Sequence, residues 1–112
     1  MNDPRPVYLR LREQIAAAII DGRYGEGAML PSVRAFAAEQ GANPLTVAKA
    51  YQQFQADGLI RVQRGVGMFV REGAGATLRA SERAAFLREE WPGIRQRMER
   101  LGLGVADLLE QA

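Results

Sequence analysis

The sequence predicts a mainly α-helical chain with one small β-hairpin: a compact domain over residues 1–75, followed by a helical arm over residues 76–112. Three observations predict this. Apolar residues recur at helical spacing in three early segments, each closed by a glycine. A short alternating stretch then turns back around a glycine-rich tip. Beyond it the pattern settles into a heptad spacing.

The first helix spans Val7 to Ile20. Val7, Leu11, Ile15 and Ile19 form one apolar stripe, Pro6 suits the start and Gly22 the C-terminal cap. Residues 23–31, with two glycines and a proline, read as a loop. Ser32 is an N-cap for a second helix reaching Gln40, with Val33, Phe36 and Ala37 facing the core, Arg34 and Glu39 facing out, and Gly41 as the stop. Asn43 followed by Pro44 opens a third helix, which runs to about Asp57 before Gly58.

On a helical projection the third helix divides into two arcs. One carries Val47, Ala50, Tyr51 and Phe54. The other carries Leu45, Thr46, Lys49, Gln52 and Gln53, and no acid occurs from Asn43 to Gln55. A solvated helix face ordinarily mixes Glu with Lys, so this face suits an anionic partner. Tyr51, Phe54 and, further on, Phe69 are expected in the core.

Leu59 to Gln63 alternates like a strand, Arg64-Gly65-Val66-Gly67 is a turn, and Met68 to Arg71 returns. Residues 72–76, EGAGA, read as a linker, its first four residues closing the compact domain. From Thr77 the chain is helical. Ala80, Ala84, Leu87, Trp91, Ile94, Met98 and Leu101 make a seam of three heptads, interrupted by Pro92, which kinks or breaks the helix. A last short helix, Val105 to Leu109, follows Gly102 and Gly104. A seam that cannot be buried on its own domain predicts a homodimer held through Leu87, Trp91, Ile94, Met98 and Leu101.

Composition narrows the function. Apolar residues make up 47% and charged residues 25%, which places the chain among globular proteins. There is no Cys and no His, so disulfides, thiol chemistry, Ser-His-Asp catalysis and the common metal sets are excluded. No paired carboxylates sit in a pocket-forming motif. The chain is expected not to be an enzyme and to need no cofactor or metal. No apolar run approaches the roughly 20 residues of a membrane span, and the N-terminus lacks a signal layout, which predicts a cytoplasmic protein. Residues 1–71 carry nine basic against six acidic residues, and residues 72–112 six against seven. The basic excess is on the compact domain, although fourteen of the fifteen basic residues are Arg, a bias that a GC-rich genome also produces.

Helix, helix, short turn, helix, hairpin is the winged helix-turn-helix order, in which the third helix enters the DNA major groove and the hairpin tip meets the neighbouring backbone or minor groove. The Leu30-Pro31-Ser32-x-Arg34 motif, the run Asn43 to Tyr51 and the wing DGLI…RG-x-G-x-FV resemble the DNA-binding domain of GntR-type bacterial transcription regulators. The C-terminal EEWPxIRxRxxRLGL run resembles the YtrA-type subfamily. The resemblance implies a dimeric regulator, usually a repressor, on an inverted-repeat operator, often controlling transporter genes. It implies DNA contacts from Arg34, Asn43, Thr46, Lys49, Arg64, Gly65 and Gly67. Three residues depart from the pattern: Leu45 replaces a polar residue, Val66 a basic wing residue and Met68 a threonine.

On the third helix Leu45 is expected either to touch a thymine methyl, the one apolar feature of the major groove, or to pack on the wing or a neighbour. An arm of about 36 residues is too small to enclose a ligand. A small-molecule effector would bind between arm and domain or across the dimer. The alternative function is a winged-helix protein–protein module without DNA binding, against which the acid-free third helix counts.

Overall fold

A computed structural model of the chain describes residues 6–111; Asp3 and Arg5 of the charge balance lie outside the described residues. The chain forms two compact units, Met1–Arg79 and Ala80–Ala112.

In the first unit, α1 (Val7–Ile20), α2 (Val33–Gln40) and α3 (Pro44–Ala56) precede an antiparallel hairpin of β1 (Ile60–Gln63) and β2 (Gly67–Val70). The helix ends follow their local chemistry. The Ser32 hydroxyl accepts from the Ala35 N–H, the Asn43 carboxamide accepts from the Leu45 N–H at 2.8 Å, and Gly41 takes the left-handed conformation that closes α2. Leu11, Ile15 and Ile19 of α1 meet Phe36 and Ala37 of α2 and Val47, Tyr51 and Phe54 of α3, with Ile60 and Val70 closing the core from the hairpin. Each large side chain so buried contributes on the order of 1.5–3 kcal/mol. Val7, expected on the core stripe, is exposed, because the core begins one turn further along α1. Phe69, also expected in the core, is only half-buried on the hairpin.

Three further features add to or differ from the sequence expectation. The segment before α2 is a loop, as expected, but it is tied to the hairpin by an isolated β-bridge. Gly27 N–H donates to the Val70 carbonyl, Val70 N–H to Ala28, and Leu30 N–H to Met68, with Met29 bridging Phe69, so residues 27–30 cover the outer edge of β2. Next, the expected linker 72–76 is not one. Glu72 and Gly73 turn, and α4 (Ala74–Ala85) starts at once. Ala74 and Leu78 are 2% and 3% exposed and belong to the core of the first unit, which extends through Arg79. Apolar burial outweighs the local cost of two glycines here. Glu26 assists by accepting the Gly73 N–H at 2.8 Å, placing a carboxylate at the start of α4, where the helix dipole favours it.

The third difference lies in the second unit. The chain passes from α4 through a π-helical turn, Phe86–Glu90, into α5 (Trp91–Leu101), and ends with α6 (Val105–Glu110). Pro92 therefore stands in the first turn of α5, directly after the π-helical turn, and the chain stays helical through it. In a regular helix its ring would run into the Arg88 carbonyl. The wider turn, in which Trp91 N–H donates to the Phe86 carbonyl, takes up one residue and accommodates it. The expected seam is thereby stepped between Leu87 and Trp91. Leu87, Ile94 and Leu101 are exposed, and Trp91 and Met98 are half-buried. No described residue of this unit is fully buried.

Candidate nucleic-acid interface

The site is built on the first turns of two helices and the tip of the hairpin. Neither α2 nor α3 has an acidic residue in its first turn, so the amide-rich, positive ends of both helices are left uncompensated. Arg34 sits within the first turn of α2. A cation there opposes the helix dipole, so the arrangement favours an external anion. Ion pairs among the described residues join Arg12 to Asp57, Arg88 to Glu89 and Arg95 to Glu99, and none involves Arg34, Lys49 or Arg64.

On α3, Asn43, Leu45 and Lys49 are exposed and Thr46 is half-buried. Leu45 is 79% exposed in the free chain. The Lys49 ammonium lies over the Tyr8 ring of α1, 4.0 Å from its centroid. Behind this face Tyr51 donates its hydroxyl to the Pro31 carbonyl at 2.8 Å and holds the start of α2 to the back of α3. Burial pushes the Tyr51 phenol well above its ordinary pKa, with Tyr24 and Glu39 adding to the effect, so it stays a neutral donor.

The wing tip is a β-turn closed by Val66 N–H donating to the Gln63 carbonyl. Gly65 has φ 79°, a conformation that glycine adopts without strain. Arg64, Gly65 and Val66 are exposed, whereas Gly67 is half-buried. A Cβ on Gly67 would lie 2.9 Å from the Met29 Sδ, so that glycine has a packing reason of its own. Across the hairpin Arg61 stands opposite Phe69, its guanidinium 4.9 Å from the ring centroid, which holds a second exposed cation on the wing. Arg61 and Tyr8 are the residues that sequence reasoning missed. Arg61 shows only as a polar member of the alternating strand, and Tyr8 as an aromatic off the α1 stripe. Nothing in the sequence joins either to its partner. Among the described residues no group of His, Cys, Asp and Glu is placed to hold a metal.

Two uncompensated helix ends, unpaired cations on adjacent helices and a glycine-tipped wing define a winged helix-turn-helix that binds DNA. Residues 7–70 match the family of bacterial regulatory proteins of the gntR type. The chain is 30% identical over 106 residues to the uncharacterized HTH-type transcriptional regulator YhcF of Bacillus subtilis, covering 95% of this chain and 86% of that protein. It is 39% identical over 79 residues to the HTH-type transcriptional repressor YtrA of Bacillus subtilis, covering 68% of this chain and 61% of YtrA. A GntR family transcriptional regulator from Listeria monocytogenes has the same fold with a TM-score of 0.75 at 26% identity, over 99% of this chain and 96% of that one. The chain belongs to the gntR family, and its likeness is to the YtrA type. It is a DNA-binding transcription regulator.

Proposed function

We propose that the chain is a homodimeric, cytoplasmic repressor that reads an inverted-repeat operator and is released from it by a small molecule. The observation that carries the DNA-reading role is the acid-free first turns of α2 and α3, with Arg34 and Lys49 outside any ion pair. The pairing role rests on the second unit, in which no described residue is buried and Leu87, Ile94, Leu101, Val105 and Leu109 are exposed. A patch of that kind calls for a partner. The repressor name of the Bacillus subtilis relative supports the direction of regulation. Transporter genes are the proposed target. Gel shifts with the DNA upstream of the chain's own gene, run at two salt concentrations, test the reading. A shift that is strong on that DNA and weak on random duplex supports it, and equal binding to both removes it.

Two substitutions separate positioning from reading. Arg34→Ala is expected to weaken binding to all duplexes alike and to lower the salt slope by about one, the behaviour of a phosphate contact. Lys49→Ala is expected to cost about 1–3 kcal/mol on operator and much less on random DNA, because an ammonium in the groove can reach guanine O6 and N7. Affinities measured across a salt series check both. Equal losses for Lys49→Ala on the two DNAs would remove its base-reading role.

Leu45 is proposed to read a thymine methyl. Its exposure at the start of α3 leaves the major groove as the place where its side chain is desolvated. Leu45→Asn is expected to change the preferred base at one symmetric pair of positions and to leave the salt slope unchanged. Binding-site selection on both proteins decides this, and identical consensus sequences would exclude the methyl contact.

A further inference from the structure

We propose that Tyr8 is a positioning residue for Lys49: its ring, on α1, holds the lysine ammonium in the place from which α3 presents it to the major groove. The inference rests on the reading of Lys49 given above. The ammonium is 4.0 Å from the ring centroid, inside the range of about 6 Å over which a ring face attracts a cation. Tyr8 is half-buried in the first turn of α1, off the stripe that Leu11, Ile15 and Ile19 send into the core. It is therefore not needed as a core side chain, and α1 packs against α3, which brings the ring beneath Lys49.

The chemistry of the partner matters. A carboxylate beside Lys49 would hold it equally well and would cancel the charge that DNA needs. The ring face attracts the ammonium through its quadrupole and leaves the full positive charge in place. From Asn43 to Gln55 the helix has no acid that could compete for it. Lysine is also a flexible four-carbon stem, and ordering it on binding costs rotamer freedom. A stem already seated on a ring loses less, so more of the contact energy appears as affinity for the right base.

The test is a double-mutant cycle on the full chain, with the duplex recovered by selection from random DNA as the probe. Tyr8→Phe keeps the ring and is expected to bind within about twofold of the parent. Tyr8→Leu keeps an apolar side chain and is expected to weaken operator binding about three- to tenfold, as loss of a cation–π contact implies. Its melting temperature should move by less than about 4 °C. In the Lys49→Ala background, Tyr8→Leu should cause no further loss.

An equal loss in that background overturns the proposal, since Tyr8 would then act without Lys49. A Tyr8→Phe protein as weak as Tyr8→Leu also overturns it, because the hydroxyl and not the ring would be responsible. If Lys49→Ala leaves operator binding unchanged, both this inference and the reading of Lys49 fall; a loss for Lys49→Ala with an additive cycle removes the inference alone. Should Tyr8→Leu unfold, the free parent protein gives a second measurement. Ring current is expected to shift the Lys49 ε-methylene proton resonances upfield, and random-coil positions would overturn the contact.

Discussion

A chain cut after Arg79 is expected to stay folded, to become monomeric and to bind its operator about 10²- to 10⁴-fold more weakly, the factor by which linking two binding modules commonly raises affinity. The first unit ends at Arg79 and retains the whole of its core, including Ala74 and Leu78. What is lost is the second unit, whose apolar side chains have no cover of their own. Light scattering gives the mass, and fluorescence anisotropy on an operator carrying both half-sites gives the affinity. A fragment that remains dimeric would place the interface within the first unit. The position of the cut is critical. Cutting after Gly75, where the glycine-rich composition suggests a boundary, removes Leu78 from the core and should give a markedly less stable fragment.

Leu78→Ala in the full chain is expected to destabilise the first unit by about 2–5 kcal/mol, the usual cost of a buried leucine truncated to alanine. Leu78 is 3% exposed, although it lies beyond the hairpin on a helix that the sequence assigns to the arm. A urea titration should show a lower midpoint with an unchanged slope. Leu78→Met, which conserves volume, should lose less than about 1.5 kcal/mol. A loss below about 1 kcal/mol for the alanine variant would mean that the start of α4 contributes little to the core, since large-to-small changes in a packed core cost more than that.

Much of the first unit is legible in the sequence because its signals are local. Ser32, Gly41 and the Asn43-Pro44 pair mark helix ends through hydrogen bonds and backbone angles that involve only near neighbours. The apolar arc of α3 is legible for the same reason, since periodicity alone identifies Val47, Ala50, Tyr51 and Phe54, and all four are buried. What escapes is held from a distance. Residues 27–30 bond to β2 through backbone groups, and no side-chain pattern marks that pairing between Gly27 and Pro31. The start of α4 depends on Glu26 and on a core that the EGAGA composition does not reveal. The exposed face of α3 follows from the sequence, but the seating of Lys49 on Tyr8 needs two helices already packed together.

The π-helical turn at Phe86–Glu90 bears on which partner the arm of the proposed dimer would accept. One residue taken up in a wider turn rotates everything beyond it by about 100° relative to what precedes, since each residue of a helix advances the face by that angle. The arm therefore offers two apolar segments set at an offset. A surface that matches both must carry a complementary offset at the same height. An identical copy does so by symmetry, whereas a sister arm with a regular heptad fits one segment and misaligns the other. In the dimer proposed above, the irregularity at Pro92 would thus act against mixed pairs.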